Sequence, residues 1–327
     1  MSVRIGVIGC GVHGMHHVRL LSKMENIEFA GIYDCDEEVR NKVAGEFSLN
    51  AFNSIDALLE KVDCVSIVVP TSNHHEVVMK CLANHKSVLV EKPISSTVAE
   101  AEEMIAEAEK RDVVFGVGHI ERFNPAYRSV MSADLSPVFI ESHRLAVFNP
   151  RGTDVAVVLD LMIHDIDVIL NMVKRPVASV NAVGVSVVSD EVDIANARIE
   201  FEGGCVANLT SSRISQKQMR KIRMFRKNAY VSMDFLTGES EVFKLKSGLK
   251  PEAAAGSIPQ MMDGISYNKL PNDGLNALEI ELQDFIGAVE NKAATIVTAL
   301  DGKKALEVAS MVMESMKSAE NSVRGME

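Results

Sequence analysis

The chain has 327 residues, more than one hydrophobic core usually supports, which favours two domains. With 47% hydrophobic and 24% charged residues it has the composition of an ordinary globular protein, and its net charge of −11 disfavours nucleic acid as a partner. No apolar stretch approaches the roughly 20 residues that cross a bilayer, so we expect no membrane partner either.

Up to residue 120, short apolar runs alternate with amphipathic helical stretches. Such alternation predicts βαβ units and a doubly wound parallel sheet of the Rossmann type, covered on both faces by helices. Thr97 is a suitable N-cap for the last of these helices. Residues 1–120 are therefore predicted to form an α/β dinucleotide-binding domain. Its strands are the runs RIGVIG, IEFAGIYD, CVSIVVP, SVLVEKP and VVFGVGH.

Residues 121–327 show a different pattern. One helix is predicted over 155–173, followed by strand-like runs in quick succession, which indicate a large and mostly antiparallel sheet in an α+β domain. Residues 247–274 are rich in Gly, Pro, Asn and Asp and are predicted to be a long loop. Two closing amphipathic helices follow, and we expect them to pack back on the first domain. The second domain is predicted to bind substrate and to mediate oligomerisation.

A glycine motif follows the first predicted strand and opens a helix. It reads Gly9-Cys10-Gly11-Val12-His13-Gly14, and such glycines allow a tight turn and a close approach of the backbone to a pyrophosphate. Asp34 ends the second predicted strand, where a carboxylate binds the ribose hydroxyls of NAD and repels the 2′-phosphate of NADP. NAD is the expected cofactor, and NADP stays open because Arg40 is near.

Polar residues follow two further strands of this domain, at the sheet edge where ligands of doubly wound folds bind. Thr71, Ser72 and His74 come after one strand, and they are predicted either to line the nicotinamide side of the cofactor or to cap a helix. Glu91 and Lys92 end the next strand, before Pro93. The spacing alone fits a surface turn as well as a catalytic lysine with a neighbouring countercharge.

The segment LDLMIHDID combines acids and a histidine on the predicted helix. Asp160, His164 and Asp167 lie at i, i+4 and i+7, which places them on one stripe of an α-helix. A carboxylate one turn from a histidine orients the imidazole and raises its basicity. The alternative is a core histidine whose hydrogen bonds are satisfied by its neighbours and which has no role in catalysis. No third ligand at characteristic spacing appears, so no metal site is predicted.

Three of these motifs and a fourth, GHIERFNP, together resemble the Gfo/Idh/MocA oxidoreductase family. They are GVIGCGVHG, the EKP at 91–93, GHIERFNP at 118–125 and DLMIHDID at 160–167. The resemblance implies that Lys92 hydrogen-bonds the reacting hydroxyl, that His164 is the general base adjusted by Asp160, and that His74 faces the cofactor. Residue chemistry leaves Lys92 open as an alternative base, because a desolvated lysine has a lowered pKa.

The resemblance also implies the reaction, the NAD-dependent oxidation of a secondary hydroxyl of a sugar. A narrower likeness in VVPTSNHHEVV and VVLDLMIHDID implies a nucleotide sugar such as UDP-N-acetylglucosamine, oxidised at its 3-position for lipopolysaccharide synthesis. A UDP-linked substrate needs polar and cationic partners, and the candidates are Arg122, His143, Arg144, Asp167 and Arg213. Two alternatives remain: an NAD-dependent glycosidase and a non-catalytic dinucleotide-sensing regulator.

The five cysteines and the N-terminus bear on the compartment. No Cys-x-x-Cys pair occurs, and several of the five cysteines lie in apolar runs, which favours a reducing environment without a disulfide framework. Glycines interrupt the apolar N-terminus, so a signal peptide is not predicted. We expect a cytoplasmic protein, and the family resemblance implies a homodimer or homotetramer.

Overall fold

The computed structural model describes residues 2–131, 136–149, 155–245 and 265–324, with side chains as far as residue 318. The chain divides into two compact units. The first contains the residues up to Ile120 together with Asn276–Glu307, and the second contains Glu121–Leu275 and the residues from Val308 onward. The first of the two closing helices therefore belongs to the same unit as the N-terminal sheet.

The first unit is built on a parallel sheet of five strands in the order β2-β1-β3-β4-β5. Every predicted strand of this unit is present, and the predicted α/β class is confirmed. The strands are β1 (Val3–Ile8), β2 (Ile27–Tyr33), β3 (Cys64–Ile67), β4 (Ser87–Glu91) and β5 (Phe115–Gly118). The helices are α1 (Gly14–Leu21), α2 (Glu37–Phe47), α3 (Ile55–Leu59), α4 (His74–Ala83) and α5 (Val98–Arg111).

Local sequence explains where these helices begin. Thr97 caps α5 as predicted, because its side chain accepts a hydrogen bond from the Glu100 amide and the Glu100 carboxylate accepts one from the Thr97 amide. In the same way Asp36 caps α2, accepting from the amides of Glu38 and Val39. These caps fix the start of each helix directly after the loop at the carboxyl end of a strand.

The second unit holds an eight-stranded sheet in the order β13-β12-β11-β10-β6-β9-β8-β7. The pairing of β6 with β9 is parallel and the other pairings are antiparallel, which confirms the predicted α+β class. The strands are β6 (Phe139–Leu145), β7 (Val177–Val185), β8 (Ile194–Phe201), β9 (Val206–Ser212), β10 (Met219–Arg226), β11 (Ala229–Asp234), β12 (Glu239–Leu245) and β13 (Ile265–Leu270).

The helices of the second unit begin with α6 (Pro125–Arg128) and α7 (Ile163–Val173). The closing helices are α8 (Ala277–Asn291), in the first unit, and α9 (Ala299–Arg324), whose residues are shared between the two units. Leu282 and Phe285 of α8 are fully buried in the hydrophobic core that contains Ile5 and Val7 of β1. No helix in the described part of the chain is both long enough and apolar enough to cross a membrane.

One prediction about secondary structure is wrong and another is refined. The predicted loop over 247–274 contains the strand β13, which pairs with β12, whereas residues 246–264 lie outside the described ranges. The strand forms because Ile265 and Tyr267 meet Leu245 and Phe243 across the pair, a contact that local composition does not indicate. The helix predicted over 155–173 is present from residue 157 to residue 173, and its first part is the π-helical turn Val158–Met162.

Candidate active site

The glycine loop between β1 and α1 has the shape of a dinucleotide-binding turn. Gly9 has a φ of 93°, and a Cβ atom there would overlap the carbonyl oxygen of Val68. A Cβ atom on Gly14 would overlap the carbonyl oxygen of Gly9, so close backbone packing requires both glycines. A Cβ atom on Gly11 would meet nothing within 4 Å, so open space lies beside the middle of the loop.

The residues after Gly11 suit an anion. Val12 is 62% exposed, His13 makes no side-chain capping bond, and the first turn of α1 contains no acidic residue. The amides and the dipole at a helix N-terminus stabilise a phosphate. The open cradle at Gly11 and the uncapped helix start together fit the pyrophosphate of a dinucleotide.

The difference between these glycines gives a testable prediction. Gly14→Ala should lower the melting temperature and disturb the loop, because the new methyl group overlaps backbone. Gly11→Ala should leave the melting temperature unchanged and weaken NAD binding by at least about tenfold, because the methyl group enters the space where the backbone approaches a pyrophosphate. Calorimetric titration with NAD and thermal unfolding measure the two effects. Unchanged NAD affinity in Gly11→Ala would contradict a ligand at this loop.

Asp34 lies just beyond the end of β2, beside the glycine loop. Its Oδ2 accepts a hydrogen bond from the Cys10 amide at 2.6 Å, and its Oδ1 accepts one from the Asp36 amide at 2.9 Å. These bonds hold the carboxylate at the loop, and its oxygens retain lone pairs that can accept from ribose hydroxyls. Arg40, the candidate partner for a 2′-phosphate, is 7% exposed and donates from Nη1 to the carbonyl oxygen of Asp34 at 2.9 Å.

The polar residues after β3 take different positions. Thr71 and Ser72 begin a short 3₁₀ turn, Thr71–Asn73, and Ser72 is exposed. His74 is only 1% exposed, and its ring bridges two strand ends: Nδ1 lies 2.8 Å from the Pro93 carbonyl oxygen and Nε2 lies 3.0 Å from that of Val69. His74 thus fastens the loop after β4 to the loop after β3, and contact of His74 with a cofactor stays a prediction.

His74 gives the fold a pH dependence. Burial lowers the pKa of His74 below its ordinary value, although the Pro93 and Val69 carbonyl oxygens and Glu91 act in the opposite direction. The unfolded chain therefore takes up this proton first, so the stability is complete above about pH 6.5 and is lost as the pH falls through the folded-state pKa. The difference in free energy of unfolding, wild type minus His74→Gln, should decrease as the pH is lowered from 7.5 to 5.5. Urea titrations followed by circular dichroism measure it, and a constant difference would contradict this assignment.

Lys92 follows β4 directly, at the same sheet edge as the glycine loop. It is half-buried, and its peptide bond to Pro93 is cis. The Lys92 amide donates to Oε2 of Glu91 at 3.2 Å. Burial opposes ionisation of Glu91, but the hydrogen bond and charge of His17 together with the charge of Lys92 outweigh it and hold the pKa of Glu91 below its usual range. A carboxylate therefore accompanies Lys92 at neutral pH.

The segment that carries Asp160 and His164 is the π turn and the start of α7. Asp160 lies within the π turn Val158–Met162, and His164 lies in the first turn of α7; both side chains are half-buried. A π turn is closed by i→i+5 hydrogen bonds, so Asp160 starts from a wider turn than a regular α-helix provides. The predicted stripe through Asp160, His164 and Asp167 stays a prediction, and π turns frequently occur at functional sites.

Asp167 belongs to a buried ion pair in the second unit. Its two carboxylate oxygens accept hydrogen bonds from Nε and Nη2 of Arg122 at 2.7 and 2.9 Å, and the two side chains are 1% and 4% exposed. Such a two-point pair fixes the orientation of both groups. Recognition of a substrate by Arg122 or Asp167 stays a prediction, and any such contact would add to this pair.

Arg144 is held in a second buried cluster. Its guanidinium donates to Asp165 at 2.6 and 2.8 Å and to Glu121 at 2.9 Å, and the Ser142 hydroxyl donates to Asp165 at 2.5 Å. Burial works against the charge, but Asp165 and Glu121 raise the pKa of Arg144 above its usual value. Sequence reasoning missed Asp165 and Glu121, although a buried carboxylate in an apolar helix such as IHDID is a signal for a paired arginine.

The remaining substrate candidates are His143 on β6 and Arg213 directly after β9. His143 is half-buried and lies on the opposite face of β6 from Arg144, because neighbouring strand residues alternate in direction. Arg213 is 5% exposed, and its Nη2 donates to the carbonyl oxygen of Val155, just before the π turn. Arg213 therefore holds the backbone just before the segment that carries Asp160 and His164. Its contact with a substrate stays a prediction.

Asp193 ends the loop between β7 and β8, which also contacts the start of this segment. The carboxylate is fully buried and accepts hydrogen bonds from the amides of Val187, Val188 and Ser189 at 2.7–3.0 Å. Burial opposes its charge, but these amides lower the pKa of Asp193 below its ordinary value. The loop that Asp193 closes also accepts the Val157 amide through the Val192 carbonyl oxygen at 3.0 Å.

These features define a class of protein. A doubly wound parallel sheet with an open glycine loop after β1 and a carboxylate after β2 is a dinucleotide-binding unit. A lysine at the same edge, and an acid and an imidazole in the second unit, are groups suited to moving a proton. Together they describe a dinucleotide-dependent oxidoreductase.

The comparisons with known proteins give the family. Residues 3–119 match the model described as an oxidoreductase family with an NAD-binding Rossmann fold, and residues 98–230 match the Gfo/Idh/MocA C-terminal domain. The chain is 34% identical, over 95% of its length and 96% of the relative's, to UDP-N-acetylglucosamine 3-dehydrogenase of Acidithiobacillus ferrooxidans. It is 29% identical over 64% of its length to myo-inositol 2-dehydrogenase of Thermotoga maritima, covering 69% of that protein. The chain therefore belongs to the Gfo/Idh/MocA oxidoreductase family.

Solved structures agree with this assignment. The structure of the Acidithiobacillus ferrooxidans UDP-N-acetylglucosamine 3-dehydrogenase superposes with a TM-score of 0.89 at 34% identity, covering 97% of this chain and 98% of that one. A complex of levoglucosan dehydrogenase with NADH and levoglucosan shares the fold, with a TM-score of 0.83 at 16% identity and coverage of 97% and 98%. The predicted family is confirmed, and the named relatives are dehydrogenases.

Proposed function

We propose that this protein oxidises a secondary hydroxyl of a nucleotide sugar, with UDP-N-acetylglucosamine as the substrate and its 3-hydroxyl as the reacting group. The observation that carries the proposal is the 34% identity to a UDP-N-acetylglucosamine 3-dehydrogenase over 95% of the chain. A likeness of this length extends well beyond the dinucleotide-binding sheet into the unit proposed to bind substrate. The presence of Lys92, Asp160 and His164 supports catalysis over a purely sensing role.

In the proposed reaction the substrate loses a proton from its hydroxyl oxygen and a hydride from the carbon that carries it. The hydroxyl oxygen gives its proton to the imidazole of His164, and the carbon–oxygen bond becomes a carbonyl as the hydride leaves the carbon. A nicotinamide cofactor, when bound, supplies the hydride acceptor. Lys92, as an ammonium group, donates a hydrogen bond to the oxygen and stabilises its developing negative charge. Asp160 favours the protonated imidazole.

NAD is the proposed cofactor in preference to NADP. The Asp34 carboxylate stands at the loop where a 2′-phosphate would meet its charge. The guanidinium of Arg40 is buried and donates to the carbonyl oxygen of Asp34, so reaching a phosphate would require breaking that bond. NAD affinity should exceed NADP affinity, and Asp34→Ala should reduce that preference.

A substrate panel tests the proposed function. UDP-sugars, free hexoses and free polyols are incubated with NAD or NADP, and the reduced cofactor is followed by its absorbance. The proposal expects UDP-N-acetylglucosamine with NAD to give the highest kcat/KM and to raise the melting temperature when NAD is present. Oxidation of free inositols alone would contradict the nucleotide-sugar assignment. Release of a free sugar without net NADH would favour the glycosidase instead.

We also propose that the protein self-associates through the more exposed face of the eight-stranded sheet. Five aromatic rings follow one another across neighbouring strands of this face, with centroids 4.8–5.8 Å apart: Phe139, Phe225, Tyr230, Phe243 and Tyr267. In the next row, the charged residues alternate in sign, with the uncharged Asn208 and Ser232 between some of them: Arg198, Glu141, Arg223, Glu241 and Lys269. An apolar row beside an alternating row suits a second copy of the same face. Tyr230→Lys should weaken this self-association, and sedimentation of wild type and Tyr230→Lys measures the change in oligomeric state.

The cysteines support the proposed reducing, cytoplasmic compartment. All five are free in the structure, and only Cys35 is exposed. Burial raises the pKa of Cys10 and of Cys81 to about 12, so both remain thiols at neutral pH. Buried thiols of this kind are structural apolar groups.

A further inference from the structure

A chain of polar side chains runs through the interior of the first unit to Lys92. It starts at Ser66 on β3, which is fully buried, and continues through His17 on α1, which is 2% exposed. The Ser66 Oγ and His17 Nδ1 atoms are 2.9 Å apart, and His17 Nε2 is 3.2 Å from Oε1 of Glu91. The other oxygen of Glu91 accepts the Lys92 amide at 3.2 Å.

Every polar atom in the chain can have a partner while Glu91 is ionised. The Glu91 carboxylate only accepts hydrogen bonds, so it accepts from the Nε2–H of His17, and the Ser66 hydroxyl can pair with Nδ1 as donor or as acceptor. Each polar atom of His17 and the Ser66 hydroxyl then has a partner. The hydrogen bond and the charge of His17 both favour the ionised form of Glu91.

Packing restricts Glu91 to this orientation. Its side chain lies against Gly118 on β5, where a Cβ atom would come within 3.1 Å of the carboxyl group. The other titratable groups whose charge Glu91 feels or affects are His17, Lys92 and the buried His74. Lys92 is next to Glu91 in the chain, and its charge is among those that lower the pKa of Glu91, so the Glu91 carboxylate supports the positive charge of Lys92 in return.

We propose that His17 and Glu91 are positioning residues that keep Lys92 protonated, so that Lys92 acts as a hydrogen-bond donor to the substrate oxygen and not as the base. The role of Lys92 toward the substrate oxygen rests on the proposed function. The effect of Glu91 and His17 on the protonation of Lys92 does not depend on it. His17 fixes the carboxylate of Glu91, and the carboxylate favours the ammonium form of Lys92. The assignment leaves His164 as the group that takes the proton.

The test measures the pKa of Lys92 directly. Lysines are dimethylated with ¹³C-formaldehyde, their NMR signals are followed against pH, and the signal absent from Lys92→Arg identifies Lys92. Glu91→Gln should lower the pKa of Lys92 by about one unit, since a neighbouring opposite charge favours the charged form by about one to three units. His17→Leu should lower it in the same direction by less. His17→Gln retains a side-chain donor to Glu91 and should stay closer to wild type.

The control is Glu102→Gln, which removes a carboxylate of the same unit that is paired with Lys303 instead. It should leave the Lys92 titration unchanged. If Glu91→Gln leaves the pKa of Lys92 within about 0.2 units of the wild-type value, the inference is overturned. A second readout is the pH profile of kcat, whose basic limb should move to lower pH in Glu91→Gln and His17→Leu.

The two measurements separate this inference from the proposed function. The NMR titration needs no turnover, so a shifted Lys92 pKa with no oxidation of any sugar would overturn the proposed function and leave the electrostatic support of Lys92 intact. Sugar oxidation together with an unchanged Lys92 pKa in Glu91→Gln and His17→Leu would overturn this inference and leave the proposed function intact. If Glu91→Gln does not fold, His17→Leu and His17→Gln decide the inference: equal Lys92 pKa values in wild type and both variants would overturn it.

Discussion

Replacement of His164 by alanine should lower kcat for the oxidised sugar by about 10²- to 10⁴-fold, the usual contribution of general-base catalysis. The reason is that the hydroxyl must lose its proton as the hydride leaves, and His164 is the imidazole at the start of α7. NAD affinity should change little, because the glycine loop that fits the pyrophosphate belongs to the first unit. Steady-state kinetics with calorimetric NAD titration measure both quantities.

The matched control is His75→Ala. His75 is half-buried, and its ring pairs with the largely exposed Glu103 on the outside of the first unit, so its loss should leave kcat within about twofold. The pH profile adds a readout for the base itself, because its acidic limb should disappear in His164→Ala. Turnover of His164→Ala at the wild-type rate would exclude His164 as the base, and Lys92 would then become the candidate for that role.

Replacement of Asp167 by alanine should destabilise the second unit by about 3–5 kcal/mol. The substitution removes the two-point carboxylate partner of the Arg122 guanidinium, which is 4% exposed, and breaking a buried ion pair by removing one member has a cost of that size. Tyrosine fluorescence during urea unfolding reports mainly on this unit, because Tyr127, Tyr230 and Tyr267 lie in it and the chain has no tryptophan.

Glu200→Ala provides the comparison on the surface. Glu200 pairs with Arg198, and both side chains are more than 40% exposed, at 44% and 47%. Exposed pairs contribute about 0–1 kcal/mol, so this variant should unfold close to the wild-type urea midpoint. Equal midpoints for Asp167→Ala and Glu200→Ala would mean that the buried pair does not stabilise the second unit.

The dinucleotide half of the candidate site follows closely from local sequence. A glycine after an apolar strand can adopt the positive φ of Gly9, and an acid at the end of the next strand comes beside that loop in any parallel sheet with this strand order. The capping residues Thr97 and Asp36 act within four residues of themselves, so they too can be recognised from sequence.

The substrate half was less accessible to sequence reasoning. Arg122 and Arg144 were selected as cations for a diphosphate, but the fold places Asp167, Asp165 and Glu121 against them. The members of these pairs are separated by 45, 21 and 23 residues, and nothing in the local pattern says which acid meets which arginine. The π turn before His164 is likewise not indicated by the regular spacing of the sequence pattern.

The sequence by itself determined the two-part architecture, the dinucleotide-binding loop and the residue types available for proton transfer, because each depends on periodicity and turn chemistry over a few neighbouring residues. Only the tertiary structure decided that His17 and Ser66 stand behind Glu91, that His143 and Arg144 point to opposite sides of the sheet, and that β13 forms. Those features depend on burial and pairing between distant segments, where the cost of leaving a charge or a backbone group unpaired selects the partner.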